Sequence, residues 1–427
     1  IKAAMFSEPV PGYLKSLTWT SSPPIWGSGY EEHMDLDALL AAEVKKQGIP
    51  GVQIGVLRNN EIVYLRGFGY SDLGKEAPFM PNQATRVGSI SKVVTGVIIF
   101  RLIQDGKLSL DTNINKFFKE KVDYDIGQDL TGADKAKFAK WTVRNLLEMS
   151  NGFNGNYGAS YSYLASLVGG TLPLTKNQCL RGMIALDTNL KNPGEEMVYN
   201  NTAFMTLGRM AETVSGKPLD ELIKQEINNT SPTPSSTLHF SPNQSSPNDP
   251  ARGQEPHYYQ FSPATSERWD GQPGIVSEGY GGLDLNSLGG AGSIAFSAEG
   301  LAKFIQAVQL GPNRGRRRGI ASAKQAVFTL APMMNAATWA EYTKPPSFTP
   351  AGATSFYRAG QMYKTAGGRF CIEHGATLGH ATGTLSYVAF GKSDYQVIVL
   401  ANSQKPAGID LGAFVNAAFN NLSTKLK

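Results

Sequence analysis

Apolar and polar residues follow two different periods along this chain of 427 residues. Near the start, short apolar runs at 52–57 and 61–68 are typical of strands. In the middle, apolar residues recur every three or four positions, which is the spacing of one helix face, and the runs end at polar residues or glycine. Four helices are predicted there, around 92–104, 141–149, 202–214 and 218–227.

The strand pattern returns in the last third of the chain. A helix running from about 297 to 309 precedes predicted strands near 368–373, 384–390 and 396–401 and a closing helix near 408–422. Strand-rich ends around a helical middle predict an α/β lobe built from residues 1–88 and 286–427, with a mostly helical lobe of residues 89–285 inserted into it. The length also exceeds that of a usual single core, which favours two lobes.

Two segments do not follow a regular pattern. Residues 1–30 contain four prolines and are expected to form an irregular extension. Residues 228–282 are crowded with Ser, Pro, Asn and Gly and cannot hold regular structure for long. A loop of that length in a compact enzyme is usually functional or disordered. Because it contains aromatic residues such as Tyr258 and Trp269, we expect it to pack over the rim of a binding site.

The motif Ser89-Ile90-Ser91-Lys92 stands at the head of the first predicted helix. Residues three apart share one helix face, so the amine of Lys92 can help to activate the hydroxyl of Ser89. At a helix start, Ser89 would also meet unpaired N–H groups and the positive end of the helix dipole. An ordinary lysine is protonated at neutral pH, so either its pKa must be lowered or it must assist a third group.

Tyr199-Asn200-Asn201 supplies a candidate for that third group. A phenol beside a lysine ammonium has its pKa lowered, so Tyr199 can take the serine proton and return it to the leaving group. The amide of Asn201 can hydrogen-bond both a substrate carbonyl and the lysine. Ser89, Lys92 and Tyr199 are therefore the predicted catalytic residues, and Asn201 is a predicted substrate-binding residue.

Together these motifs resemble those of the penicillin-recognising serine hydrolases, which include class C β-lactamases, DD-peptidases, D-aminopeptidases and β-lactamase-like esterases. The resemblance runs from about residue 36 to residue 402. Further similar segments follow in matching order, at 51–56, 67–72, 105–111, 141–152 and 289–301. The resemblance implies a β-lactamase/transpeptidase-like fold, with an antiparallel sheet flanked by helices, an inserted helical lobe and an active site between the lobes.

The third motif of this family, K-T-G or H-x-G, lies on a strand that lines the site. Counting back without gaps from residues 386–390, which are similar to the following strand, places the motif at positions 377–379. In this register Thr377 and Gly379 contact the substrate, and the backbone N–H of His380 joins that of Ser89 in the oxyanion hole. One such donor is worth roughly 3 to 4 kcal/mol to catalysis.

A second register starts the motif at His374-Gly375-Ala376. It keeps a histidine in the first position, with His374 as a polar contact for the substrate, but loses the closing glycine. We prefer the first register. In both registers the lysine of K-T-G is missing, and Thr377 carries no charge, so penicillin-type substrates lose an anchor for their carboxylate. The resemblance then favours substrates without an obligatory carboxylate.

The predicted function is a serine hydrolase that forms an acyl-enzyme at Ser89 and cleaves esters or amides, as an esterase, an amidase or a D-aminopeptidase-like enzyme. Acyl transfer stays open. Two alternatives remain, a β-lactamase or DD-peptidase, and a non-catalytic binding protein on the same fold. The expected partner is a small-molecule or short-peptide ester or amide. No metal or other cofactor is expected, because the five histidines lack the spacing of metal ligands.

Charge, apolar run length and cysteine content limit which other partners are expected. The net charge of +5 is too slight to imply a nucleic-acid partner, and the basic cluster at 314–318 is expected to be a solvated loop. No apolar stretch reaches the roughly 18 to 20 residues that span a bilayer. The two cysteines, Cys179 and Cys371, encode neither a disulfide framework nor a zinc cluster, and whether they pair is open, as is the oligomeric state.

The chain begins at Ile1 and not at methionine, so we expect that an N-terminal piece has been removed or left out. Charged residues make up only 18% of the chain, and glycosylation sequons occur at Asn228, Asn229, Asn243 and Asn421. These features lead us to expect a secreted or periplasmic protein.

Overall fold

The computed structural model describes residues 2–5, 13–27, 33–155, 159–230, 238–244, 248–261, 267–274, 276–309, 333–353, 355–364, 373–378, 380–390, 393–405 and 407–425. Gly379, Cys371, the basic cluster at 314–318 and most of the predicted strand at 368–373 lie outside these residues.

Strands and helices are numbered in chain order. The strands are β1 Lys2–Met5, β2 Leu14–Thr18, β3 Ile25–Trp26, β4 Gly51–Arg58, β5 Glu61–Asp72, β6 Ala77–Pro78, β7 Thr85–Arg86, β8 Leu238–Phe240, β9 Tyr259–Gln260, β10 Ile294–Phe296, β11 Ser355–Arg358, β12 Gln361–Lys364, β13 His374–Leu378, β14 Ala381–Phe390, β15 Ser393–Ala401 and β16 Ser403–Gln404. The helices are α1 Met34–Gln47, α2 Ser91–Gln104, α3 Ile114–Phe117, α4 Gly132–Phe138, α5 Val143–Leu147, α6 Tyr161–Val168, α7 Lys176–Leu186, α8 Asn201–Ser215, α9 Leu219–Thr230, α10 Leu285–Leu288, α11 Ala298–Gln309, α12 Ala336–Tyr342 and α13 Leu411–Lys425.

An antiparallel sheet forms the framework of the molecule. Its strand order is β13-β14-β15-β4-β5-β3, and β6 also pairs with β5. Alternate residues of β4 face opposite sides, so Val52 and Ile54 pack with Leu40 of α1 and Phe414 of α13, while α11 covers the other face. Since both faces are covered, β4 is buried almost throughout, and even Gln53 is in the interior.

Helix α2 is the centre of the helical side. Nearly all of its residues are buried, and it packs against α8, α12 and the glycine-rich turn at Gly289–Ala291. Two contacts are close enough to require glycine: a Cβ at Gly96 would lie 2.1 Å from the carbonyl oxygen of Ala359, and one at Gly290 would lie 2.8 Å from Thr95 Oγ1. These contacts bring the β11–β12 hairpin and the glycine-rich turn directly onto α2.

The predicted antiparallel sheet flanked by helices is confirmed, and the helices predicted around 92–104, 202–214 and 218–227 correspond to α2, α8 and α9. The N-terminal extension differs from its prediction. Short strands form there, and β3 joins the edge of the main sheet because the indole of Trp26 donates to the Gly69 carbonyl at 2.6 Å and that of Trp19 to Ile49 at 3.0 Å.

Two short strands form in the segment 228–282, and its packing over the rim of a binding site stays a prediction. Its described part contains β8 and β9, and β9 pairs in parallel with β16. Tyr258 within it is fully buried. Aromatic burial and strand pairing therefore fix residues 258–260 in the interior beside β16, whereas residues 271–274 are exposed.

Candidate active site

A tight turn presents Ser89 to solvent. Residues Gly88–Ile90 form one turn of 3₁₀ helix between β7 and α2, so Ser89 lies just ahead of the helix and not on its first residue. Gly88 has a φ of +49°, and a Cβ there would lie 3.2 Å from the Cβ of Ala376 on β13. The glycine therefore lets the turn approach the edge of the sheet, and the Ser89 side chain stays partly exposed.

Lys92 lies one turn further along and is completely buried. Its Nζ is 3.0 Å from Ser89 Oγ, 2.8 Å from Asn201 Oδ1 and 2.7 Å from the carbonyl oxygen of Ala291. Burial disfavours the charged form and lowers the pKa of Lys92 to about 7. A large fraction of the lysine is therefore neutral at physiological pH.

The three neighbours of Lys92 divide its hydrogen bonds in a defined way. A neutral amine has two N–H donors and one lone pair, and the carbonyl oxygens of Asn201 and Ala291 can only accept. Those two oxygens take both N–H groups, so the lone pair is left for the hydroxyl proton of Ser89. In its neutral form, Lys92 can therefore accept the hydroxyl proton of Ser89.

A helix cap positions Tyr199 and Asn201. Asn200 caps α8 by accepting a hydrogen bond from the Ala203 amide at 2.8 Å, and its own amide donates to Asn151 Oδ1 at 3.0 Å. Tyr199 precedes the cap and Asn201 is the first residue of α8, and both side chains lie next to Lys92. The residue between these two predicted site residues, Asn200, thus has a structural role as the helix cap.

The ring of Tyr199 lies against the lysine. Lys92 Nζ is 4.9 Å from the ring centroid. Two other rings pack against Tyr199, that of His374 at 5.9 Å and that of Tyr357, edge to face, at 6.1 Å. The structure therefore brings Ser89, Lys92, Tyr199 and Asn201 together, as expected from their two motifs.

A cleft of about 500 Å³ opens beside Ser89 along the edge of the main sheet. Its lining combines the nucleophile turn, Tyr199, strands β13 and β14 and the start of α13: Ser89, Tyr199, His374, Gly375, Ala376, Thr377, Gly383, Thr384, Ser386, Leu411 and Gly412. The residues of the second register thus line the cleft.

Strand register shows which amides of β13 face the cleft. The Ala376 carbonyl accepts from Thr382 Oγ1 on β14 at 2.9 Å, whereas the Glu373 carbonyl accepts from the Met362 amide on the opposite side at 3.0 Å. Backbone direction alternates along a strand, so Thr377 has the same direction as Glu373, toward the open edge. Gly88 packs against Ala376 and Leu378, on either side of Thr377, which places the Thr377 amide next to the nucleophile turn.

His380 lies elsewhere. It follows the end of β13, its ring is buried, and its Nε2 is 2.8 Å from Arg86 Nη1 in a cluster behind the nucleophile turn. His380 does not occur among the cleft-lining residues in the described part of the chain. The first register would place its motif at the end of the strand, because only positions 379 and 380 separate β13 from β14. The geometry thus favours the second register over the one that we preferred, with Ala376 in place of the glycine.

His374 is neutral in this wall. Burial, together with the nearby charge of Lys92, lowers the pKa of His374 to about 4. Its Nδ1 lies 2.5 Å from the Gly375 carbonyl, so Nδ1 carries the proton and donates, and Nε2 is the acceptor of the ring. The first position of the third motif therefore carries no positive charge in the working pH range.

Three participants were missed by sequence reasoning. The Ala291 carbonyl bonds to Lys92, and the only signal was the glycine-rich pattern around it. Tyr357 reaches Tyr199 and His374 from the β11–β12 hairpin, for which the sequence carried no signal. Arg86 connects the strand before Ser89 to His380, and a lone arginine in an apolar segment was the only indication.

Two negative findings concern the described residues alone. They contain no group of three or more His, Cys, Asp or Glu side chains placed to hold a metal ion. No helix within them is long and apolar enough to cross a bilayer.

Known proteins resemble this chain over most of its length. A family model described as Beta-lactamase matches residues 36–419. Protein flp of Staphylococcus aureus (strain MRSA252) is 25% identical over 189 residues, which are 43% of this chain and 34% of that protein. The matched part is thus about a third of this relative's length. A putative D-alanyl-D-alanine carboxypeptidase of Escherichia coli O157:H7 is 28% identical over 216 residues, 48% of this chain and 47% of the relative.

A solved structure shares the fold. The D-amino acid amidase from Ochrobactrum anthropi SV3, in complex with L-phenylalanine amide, superposes with a TM-score of 0.62 at 16% identity, covering 93% of this chain and 100% of the amidase. The β-lactamase/transpeptidase-like fold expected from the motifs is therefore confirmed. With the family match over residues 36–419, the chain belongs to the β-lactamase family.

Proposed function

We propose that this protein is a serine hydrolase that cleaves amides or esters through an acyl-enzyme on Ser89. The observation that carries the proposal is the buried amine of Lys92, 3.0 Å from Ser89 Oγ and with its pKa lowered to about 7. A solvent-exposed lysine would be protonated and unable to accept the hydroxyl proton. A protein that only binds ligands has no need for a lysine desolvated in this way, which speaks against the non-catalytic alternative.

Acylation follows from these contacts. Ser89 Oγ forms a bond to the carbonyl carbon of the substrate while its proton passes to Lys92 Nζ, and an electron pair moves onto the carbonyl oxygen. The tetrahedral intermediate then re-forms the C=O bond and breaks the bond to the leaving group. We assign to Tyr199, whose ring lies against Lys92, the relay of the proton from the amine to the departing amine or alcohol.

Deacylation uses the same groups in reverse. Water, or an alcohol in acyl transfer, loses a proton to the Lys92 and Tyr199 pair and attacks the ester carbonyl. The proton then returns to Ser89 Oγ as the acyl group leaves.

In this proposal, two backbone amides hold the oxyanion in both steps. We assign them to Ser89, at the tip of the 3₁₀ turn, and to Thr377, whose amide faces the open edge of β13 beside that turn. Donors fixed before the reaction stabilise the developing charge without reorganisation, and each is commonly worth about 3 kcal/mol. Thr377 replaces His380 in this role.

The cleft favours substrates whose reactive end is uncharged. Its described lining contains hydroxyls and a neutral histidine but no lysine or arginine side chain. A carboxylate close to the scissile bond would meet no cation here, so we favour simple esters and amino-acid amides over β-lactams and peptide C-termini. The named activities of the amidase and of the carboxypeptidase define the two substrate classes to compare.

Intact-mass spectrometry after exposure to substrates tests this proposal. We expect an acyl adduct with a p-nitrophenyl ester and turnover of a D-amino-acid amide, and little adduct with benzylpenicillin. Peptide mapping should place the adduct on Ser89, and Ser89→Ala should abolish it, whereas Ser386→Ala, which removes another hydroxyl of the cleft wall, should keep it. A stable penicillin adduct together with no ester adduct would instead favour the penicillin-binding alternative.

The pH dependence of kcat/KM tests the role of Lys92. Because the amine must be neutral to accept a proton, and its pKa is lowered to about 7, kcat/KM for a p-nitrophenyl ester should rise with pH through about 7 and then level off. Asn201→Asp places a carboxylate 2.8 Å from the amine, which stabilises the ammonium and should move this rise upward by about one pH unit or more. A rate that is flat across this range, or an unmoved rise in the variant, would contradict Lys92 as the base.

Proline substitution tests the proposed oxyanion donor. Thr377→Pro removes the amide that faces the open edge, and edge strands tolerate proline where the N–H makes no ladder bond. We expect kcat to fall by about a hundredfold or more. Thr377→Ala, which keeps the amide, should remain near wild type. If Thr377→Pro stays active while His380→Pro, in folded protein, loses the activity, the first register is correct after all.

A further inference from the structure

A cluster of polar side chains is buried behind the nucleophile turn, outside the cleft. At its centre are Arg86, the last residue of β7, and Glu255, which are 1% and 0% exposed. His380, from the connection between β13 and β14, is equally buried at 1%. None of these side chains takes part in the reaction proposed above, so their arrangement needs another explanation.

Arg86 makes contacts in several directions. Its Nε donates to Ser241 Oγ at 2.7 Å, and its Nη1 donates to the Gly279 carbonyl at 2.9 Å and lies 2.8 Å from His380 Nε2. The guanidinium also stacks over the ring of Tyr258, 4.4 Å from its centroid. The side chain is thus held at a fixed position by four separate segments of chain.

Glu255 balances the charge of Arg86. Its Oε2 is 3.5 Å from Arg86 Nε and accepts from Tyr258 Oη at 2.6 Å, while Oε1 is 2.7 Å from His239 Nε2. Burial raises the pKa of this carboxyl, but the hydrogen bond of His239 and the charge of Arg86 outweigh that effect, and the pKa is lowered. Glu255 is therefore ionised, and the arginine has a buried counter-ion.

His380 accepts from the arginine. Burial and the charge of Arg86 keep the pKa of His380 well below its ordinary value, so the ring is neutral. Since a guanidinium can only donate, Nε2 of His380 is the acceptor and Nδ1 carries the proton. In the hydrogen bond between the two side chains, Arg86 is therefore always the donor and His380 always the acceptor.

This bond connects the two segments that carry the proposed oxyanion donors. Arg86 precedes Ser89 by three residues, and His380 follows Thr377 by three residues. We propose that Arg86 and His380 are positioning residues that set the separation of the Ser89 and Thr377 amides. The inference rests on the proposed function, because it concerns the geometry of that oxyanion hole.

The energetics agree with a geometric role. Arg86 Nη2 and His380 Nδ1 have no hydrogen-bond partner among the described residues. Unsatisfied buried donors reduce stability, and buried ion pairs are often replaceable by apolar residues without loss of stability. Catalysis, by contrast, is very sensitive to position, since a misplacement of about 1 Å can cost about a hundredfold in rate. The cluster is thus better explained by what it holds in place than by what it adds to stability.

Variants of His380 test the proposal, because they leave its backbone and the cleft lining unchanged. His380→Ala removes the hydrogen-bond acceptor of Arg86. His380→Gln restores an acceptor near the position of Nε2, whereas His380→Asn places an acceptor only near the position of Nδ1. Rates are expressed per site labelled by a fluorophosphonate, so misfolded protein does not count. We expect kcat for a p-nitrophenyl ester to fall by about 10- to 100-fold in the Ala and Asn variants, and His380→Gln to recover most of it.

Two further readouts separate positioning from a merely structural role. The affinity for a phosphonate or boronic acid that mimics the tetrahedral intermediate should fall in parallel with kcat, while KM changes less than about threefold and the rise of kcat/KM near pH 7 stays in place. Should His380→Ala fail to fold, the Gln and Asn pair makes the same comparison.

Either of two results overturns the inference. Full kcat per labelled site in His380→Ala, even with a lower melting temperature, would show that the bond only stabilises the fold, and equal activities of the Gln and Asn variants would show that the acceptor position is irrelevant. Failure of the proposed function itself looks different, since the wild-type protein would then neither react with the fluorophosphonate at Ser89 nor hydrolyse the ester.

Discussion

The burial of one amine is the constraint on which the rest of this structure depends. Lys92 on α2 is enclosed by the 3₁₀ turn Gly88–Ile90, the start of α8 and the glycine-rich turn, and each of these three elements contributes one of its hydrogen-bonding neighbours. The enclosure requires very close approach: a Cβ at Gly360 would lie 2.1 Å from the carbonyl oxygen of Lys92 itself. The hairpin, the turn and the helices thus pack to keep water away from a single nitrogen.

This burial has a cost that varies with pH. The pKa of Lys92 is lowered from about 10.5 to about 7 in the folded protein, so between these values the unfolded chain binds more protons than the folded one. Stability from this group therefore rises with pH across that window, which is the reverse of a lysine that gains a partner on folding. The same desolvation that lets the amine accept a proton makes the folded state less favourable at low pH. The folded state thus loses some stability because Lys92 is kept neutral enough to act as a base.

The residues of the first two motifs could be predicted from the sequence, whereas the strand that lines the cleft could not be placed from it. Ser89 and Lys92 were recognisable because their spacing fits one helical turn. Tyr199 and Asn201 were recognisable because a tyrosine is followed two residues later by an asparagine. The register of the third motif is a different case. Counting back from residues 386–390 placed the motif at Thr377. The correct register depends on which strand edge faces Ser89, and that is a property of the β13–β14 pairing. The contact of His380 with Arg86 could not be predicted, because the two residues are 294 positions apart in the chain.

The substrate preference of the site also depends on residues and packing outside the motifs. The absence of a cation was readable from Thr377 and His374, but the neutrality of His374 depends on its burial and on the nearby Lys92. Tyr357 reaches the site through a hairpin whose tip is held by the buried pair of Arg358 and Glu148, at 2.5 Å. Long-range packing of this kind leaves no local pattern in a single sequence.

The most direct test of this account is the titration of Lys92 itself. In protein carrying ¹³C-labelled lysine, the Cε resonance that disappears in Lys92→Met reports the ionisation of this one amine. We expect its midpoint near pH 7, about three units below that of the exposed lysines. A Lys92 resonance that stays in the ammonium position up to pH 10 would contradict the central claim, because the amine could not then take the proton of Ser89.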